Sequence, residues 1–176
     1  MLGTDLRRHI RDIPDFPKPG IVFRDITPLL LDADALGAAV TALAAHARPL
    51  EVDLVVAAEA RGFILGGALA RELQAGFVPA RKPGRLPHDT VSARYALEYG
   101  IDALEVHADA LAAGARVLVH DDLLATGGTA AAVCELVERL GGEVAGTAFV
   151  IELSFLGGRE RLAPRDVFAL IDYAAE

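Results

Sequence analysis

A strand, a helix and a second strand follow one another twice in this chain, and that repeated order restricts the fold more than any other feature. Asp53 to Ala58 is a short apolar run. Phe63 to Leu73 then places Leu65, Leu69 and Leu73 four residues apart, and Phe77-Val78-Pro79-Ala80 supplies another extended run. The pattern returns with a strand from Arg116 to His120, a helix from Thr129 to Leu140 that turns Val133, Val137 and Leu140 inward, and a long strand from Glu143 to Leu153. Such alternation predicts an α/β fold, a mostly parallel twisted sheet flanked by helices on both faces. Ligands of such sheets bind outside the carboxyl ends of the strands.

The flanking segments are less regular. Leu6, Ile10 and Ile13 recur at helical spacing, and Pro14, Pro17 and Pro19 forbid continuation, so a short N-terminal helix is expected to enter a rigid loop ending at Gly20. Ile21-Val22-Phe23 reads as a strand or an ordered loop. A helix is expected from Asp34 to about His46, with Leu36, Val40, Leu43 and Ala47 on one face. A polar stretch from Lys82 to Thr90 precedes partial alternation over 91–106 that breaks at Tyr99-Gly100, as a hairpin does. With 176 residues, 53% of them hydrophobic, and no repeat or linker, one domain over 1–176 is expected.

Charge and composition exclude several functions. A net charge of −8 disfavours a nucleic-acid surface, which needs a positive footprint. Positive charge is concentrated only locally, where Arg81, Lys82 and Arg85 surround Pro83 and Gly84. The single cysteine, Cys134, has no intrachain partner and reads as a small core residue, and no Cys/His cluster has metal-ligand spacing, so no protein-bound metal is expected. No apolar run approaches the roughly 20 residues of a membrane span, and the start lacks a signal-peptide pattern. A soluble, cytoplasmic protein is the expectation.

The most informative segment is Val117-Leu118-Val119-His120-Asp121-Asp122-Leu123-Leu124-Ala125-Thr126-Gly127-Gly128-Thr129. An apolar strand ends in two carboxylates, and small residues then open a helix. Gly127 and Gly128 let the backbone turn several N–H groups into one concavity, where the dipole of the helix beginning near Thr129 favours an anion. Thr126 and Thr129 add hydroxyl donors. Asp121 and Asp122 would repel a phosphate, but one sugar length away they accept hydrogen bonds from vicinal hydroxyls. The spacing describes a ribose 5-phosphate.

This segment resembles the phosphoribosyl-pyrophosphate motif of the type I phosphoribosyltransferases. Ala125 stands where enzymes for 6-oxopurines carry an aspartate, which makes the loop similar to the adenine-specific branch. The resemblance implies transfer of a phosphoribosyl group to N9 of adenine, releasing AMP and pyrophosphate. Mg2+, bound mainly through the substrate, would neutralise the leaving group.

Three further segments resemble the same family, and their roles are what the resemblance implies. Glu59-Ala60-Arg61-Gly62-Phe63 is similar to the pyrophosphate loop, with Ala60 where serine is commoner and a cis peptide expected between Glu59 and Ala60. Arg81-Lys82-Pro83-Gly84-Arg85-Leu86-Pro87, followed by Tyr95 to Gly100, looks like the mobile hood over 82–106. It would cover pyrophosphate with Arg81, Lys82 and Arg85 and bring Glu98 to N7 of the base. Arg85 and His88 replace residues more usual there. The N-terminal hood segment, 1–30, contains Val22, Phe23 and Arg24, which would read adenine by stacking on Phe23 and by the backbone of Arg24, with Leu123 on the other ring face. Phe155 to Leu162 also follows the family pattern, without an assigned role.

A homodimer is implied, with Arg81 reaching the partner's pyrophosphate site. His120, beside Asp121, is given a structural role because strand alternation turns it away. Two alternatives compete: a phosphoribosyltransferase for another purine, and a regulatory protein of the same fold that senses phosphoribosyl pyrophosphate.

Overall fold

The computed structural model describes residues 5–97 and 100–175. Its centre is a five-stranded sheet in the order β4-β3-β7-β8-β9: β3 is Leu54–Ala58, β4 Gly76–Ala80, β7 Arg116–Leu124, β8 Glu143–Leu153 and β9 Val167–Tyr173. Every neighbouring pair in it is parallel, which agrees with the α/β expectation. A parallel sheet needs cover on both faces, and two apolar clusters provide it. On one face lie α1 (Thr27–Leu31), α2 (Ala33–Ala47) and α3 (Gly62–Leu73), packing Leu29, Leu43, Leu65 and Leu69 against Val55, Leu118 and Ala148. On the other, α4 (Gly128–Arg139) and the hairpin of β5 (Thr90–Leu97) and β6 (Gly100–His107) pack Val133, Leu136, Tyr95 and Leu104 against Val56, Val119 and Phe149.

Local chemistry explains the elements. Asp32 caps α2, its Oδ1 accepting from the N–H groups of Asp34 at 3.0 Å and Ala35 at 2.9 Å. Gly66 lets α3 settle on the sheet, since a Cβ there would lie 2.9 Å from that of Ala57. Pro79 is tolerated because β4 is an edge strand. Between β7 and β8 the register shifts: Val117 pairs with Val144 but Leu118 with Gly146, leaving Ala145 bulged.

Several elements differ from the sequence expectations. The N-terminal helix is one 3-10 turn, Leu6–His9, and Ile13 belongs to β1 (Arg11–Ile13), which pairs antiparallel with β2 (Phe23–Asp25). Pairing with β2 supplies hydrogen bonds that a lone helical turn lacks. Of the two readings for 21–23, the strand begins only at Phe23. Strand β7 runs on through the acid pair to Leu124, because β8 continues beside it and offers partners up to Glu152. Helices α1 and α5 (Gly158–Leu162) and strand β9 were not anticipated.

Candidate active site

At the carboxyl ends of β3 and β7 lies a cleft of about 180 Å³, lined by Arg61 and the run from Asp121 to Ala130. The sheet puts it there: β3 delivers the 59–63 loop and β7 the 121–129 loop side by side, because the two strands are hydrogen-bonded neighbours. Gly127 has φ +77, a conformation that favours glycine, and it turns the chain into α4 at Gly128. Thus Asp121, Asp122, Leu123, Ala125, Thr126, Gly127, Gly128 and Thr129 are brought together as the sequence motif required.

Electrostatics in the cleft are set by three groups. Asp122 is 5% exposed, and its Oδ2 accepts from Nε of Arg61. Burial works against the Arg61 charge, but Asp122, with help from Asp121, outweighs it and holds the guanidinium charged. Asp121 is held well above the usual carboxylate range, first by burial and then by the neighbouring Asp122 charge. Gly62 makes room for this acid, since a Cβ there would lie 2.8 Å from Asp121 Oδ1.

The 59–61 loop has the expected cis peptide between Glu59 and Ala60. The Glu59 carboxylate does not face the cleft. It turns to the basic segment, accepting from Arg81 Nε at 2.9 Å and from the backbone N–H of Lys82 at 2.9 Å. Burial would raise its pKa, but these donors lower it below the usual carboxylate range. The Arg81, Lys82 and Arg85 cluster is likewise tied down: Arg81 donates to the Arg85 carbonyl at 3.1 Å, and Lys82 Nζ lies 3.3 Å from Asp102. Glu98 lies outside the described residues.

The N-terminal segment reaches the same end of the sheet. The Phe23 ring lies 5.2 Å from the guanidinium of Arg61 and 5.2 Å, edge-on, from Phe16. Arg24 is 8% exposed, pairs with Asp12 at 2.6 Å and covers the Tyr173 ring at 4.1 Å. Its side chain is therefore committed inward, leaving only its backbone for recognition. Val22 precedes the strand and is half-buried.

Sequence reading missed Asp25, whose Oδ1 accepts from Thr27 Oγ1 at 2.6 Å and from Thr27 N–H at 2.9 Å, while Oδ2 accepts from Arg11. The Thr27 hydroxyl, the Thr27 amide and Arg11 outweigh burial and lower its pKa to about 2. The Asp25-Ile26-Thr27-Pro28 spacing, an acid two residues before a helix start, was the available signal. Tyr95, read only as part of the hood, donates its hydroxyl to Oδ2 of Asp102 at 3.3 Å. His120 does not line the cleft: it is 1% exposed, its Nδ1 lies 2.8 Å from the Ala148 carbonyl, and burial lowers its pKa to about 4. Cys134 is buried in the core, and burial raises its pKa to about 11.

The molecule is thus an α/β protein whose parallel sheet carries an acid pair and a glycine turn at the carboxyl end of a central strand. Residues 29–170 match the phosphoribosyl transferase domain. The adenine phosphoribosyltransferase of Rubrobacter xylanophilus is 61% identical over 96% of this chain and 91% of its own length. That of Thermotoga maritima is 56% identical over 98% of this chain and all of its own length. The crystal structure of adenine phosphoribosyltransferase from Thermoanaerobacter pseudethanolicus superposes with TM-score 0.93 at 52% identity, covering 96% of this chain and 98% of that one. The Saccharomyces cerevisiae enzyme, crystallised with an imino-altritol bisphosphate and adenine, gives 0.90 at 40% identity, covering 94% and 96%. The chain belongs to the adenine phosphoribosyltransferases of the phosphoribosyltransferase family.

Proposed function

We propose that the 121–129 loop holds the ribose 5-phosphate of phosphoribosyl pyrophosphate in the reaction that this chain catalyses: transfer of the phosphoribosyl group to adenine, giving AMP and pyrophosphate. The observation that carries the assignment is the meeting of Asp121, Asp122 and the Thr126–Thr129 turn with Arg61 in one cleft. Loop amides and the threonine hydroxyls bind the phosphate, and the acid pair accepts the ribose hydroxyls.

The anomeric carbon loses pyrophosphate through a state with cationic ribose character, so catalysis rests on positioning and charge. Arg61, with the amides of the 59–61 loop, faces the departing pyrophosphate. The Glu59 carboxylate holds Arg81 and the backbone N–H of Lys82 beside that loop. Magnesium bound with the substrate would supply charge neutralisation at the departing pyrophosphate, beside Arg61. Adenine stacks between Phe23 and Leu123 and presents its N1/N6 edge to the backbone at 22–24. Glu98 serves the proton at N7. A homodimer carries Arg81 to the partner's site; light scattering at assay concentration tests this, and a fully active monomer would refute it. Among the described residues no helix is long and apolar enough to cross a membrane.

The deciding experiment measures AMP formation from adenine, phosphoribosyl pyrophosphate and magnesium with hypoxanthine, guanine and xanthine as competing bases. Adenine should be preferred strongly, because Ala125 stands where enzymes for 6-oxopurines carry an aspartate. Equal use of hypoxanthine would overturn the adenine assignment.

A further inference from the structure

The segment Phe155–Leu162 takes no part in the chemistry above, yet it lies directly behind the phosphate loop. A 3-10 turn, Ser154–Leu156, leads through Gly157, with φ +69, into α5 at Gly158. There two glycines face each other. A Cβ on Gly158 would lie 2.2 Å from the carbonyl oxygen of Ala125 and 3.0 Å from the Leu124 side chain. A Cβ on Gly127 would lie 2.8 Å from the carbonyl oxygen of Gly158 and 3.2 Å from its Cα. The closest approaches are to backbone, which has no flexible end to swing aside, so the corner and the loop are in contact with no room for a methyl group between them.

The corner is itself anchored. Glu152 is 3% exposed and sits on β8 level with Leu124 of β7. It accepts from Arg159 Nε at 3.0 Å and again from Arg159 Nη2, and Arg159 Nη1 donates to the Val167 carbonyl at 2.6 Å. One guanidinium thus joins β8, the start of β9 and the corner. Paired with a buried carboxylate, it fixes α5 more firmly than an exposed ion pair would.

We propose that the Gly157-Gly158-Arg159 corner is the back wall of the phosphate loop, with Gly158 and Arg159 as positioning residues for the 5′-phosphate. The proposal rests on the reading that the loop binds this phosphate. Anion-binding amides act only when held near productive geometry, and a displacement of about 0.5 Å at Ala125 suffices to misdirect them. Gly158 is a clean probe, because its φ is not in the left-handed region and alanine there meets only the contact.

The test is the ratio of AMP to adenosine affinity by isothermal titration, which reports what the phosphate contributes. Gly158→Ala should lower this ratio at least about tenfold while adenine affinity stays within about twofold. Gly67→Ala, at a helix position with open space around it, should leave the ratio unchanged. Arg159→Gln, the variant to use if Gly158→Ala does not fold, should lower the ratio at least about threefold. A merely structural role would lower the melting temperature of folded variants and leave the ratio alone, and that result overturns the proposal. If the wild-type protein itself binds adenosine as tightly as AMP, the phosphate-loop reading falls and this inference falls with it.

Discussion

Nε of Arg61 donates to Oδ2 of Asp122, so the cation assigned to pyrophosphate and an anion assigned to ribose neutralise each other in the free protein. On the proposed roles, substrate parts them, taking the arginine with its pyrophosphate and the aspartate with its hydroxyls. Arg61→Gln should therefore weaken phosphoribosyl pyrophosphate by about 10–100-fold while AMP, which has no pyrophosphate, stays within about threefold. The variant should also melt earlier without ligand, since Asp122 is left unpaired at 5% exposure. Titration with both ligands checks this, and equal losses for the two would contradict it.

Asp121 sets function against stability. Its folded-state pKa is raised, so ionising it costs folding energy: the carboxyl stabilises fully below its unfolded pKa, and that contribution is lost as pH rises through the folded value. Asp121→Asn should raise the melting temperature at pH 7, by about 2–4 °C for each kcal/mol regained. The gain should vanish in acid, where the wild-type group is protonated. The same variant should lose about 1.5–3 kcal/mol of phosphoribosyl pyrophosphate binding and little adenine binding. Thermal melts at both pH values and two titrations decide it.

His120 should make the protein acid-sensitive. Burial lowers its pKa from 6.5 to about 4, so the folded state resists the proton that the unfolded chain accepts. Its stabilising contribution is present above the unfolded pKa and is lost as pH falls from about 6.5 to about 4, worth about 2 kcal/mol between pH 7 and pH 5. His120→Leu should remove this part of the pH dependence. Urea unfolding of both proteins at pH 7 and pH 5 measures it; parallel losses would show that other groups are responsible.

Glu59→Gln should separate anchoring from binding. The amide still accepts from Lys82 N–H but no longer carries the charge that holds Arg81. KM for phosphoribosyl pyrophosphate should rise about 3–10-fold, with KM for adenine unchanged. Steady-state kinetics with each substrate varied gives the answer, and a rise confined to adenine would refute the anchoring role.

The loop after β7 was legible because its chemistry is contiguous: strand, acid pair and glycine turn lie within one stretch, and strand pairing did not have to be known. Asp122 could be assigned from spacing, whereas its partnership with Arg61 depends on β3 and β7 being neighbours, which spacing does not state. The N-terminal segment misled because Leu6, Ile10 and Ile13 fit a helical stripe while pairing with β2 won. Pro28 at the first turn of α1 was a usable helix signal that went unread. Strand β9 was missed because Val167 and Ile171 are buried and the residues between them only partly so, which blurs the alternation. The Arg24–Asp12–Tyr173 and Glu152–Arg159 groupings join distant segments and leave no local trace.

The bulge at Ala145 has a bearing on which length changes this chain could accept. Beyond it, every residue of β8 is offset by one from where an unbroken ladder from Val144 would put it, and Glu152 comes level with Leu124 only because of that extra residue. Deleting Ala145 alone would either pull the strand one step along its neighbour or turn its downstream side chains to the opposite face. Glu152 would then leave Arg159, and the helix behind the phosphate loop would lose its tether. A gap of a single residue here is thus a far larger change than a substitution, although nothing in Ala145's own side chain would suggest it.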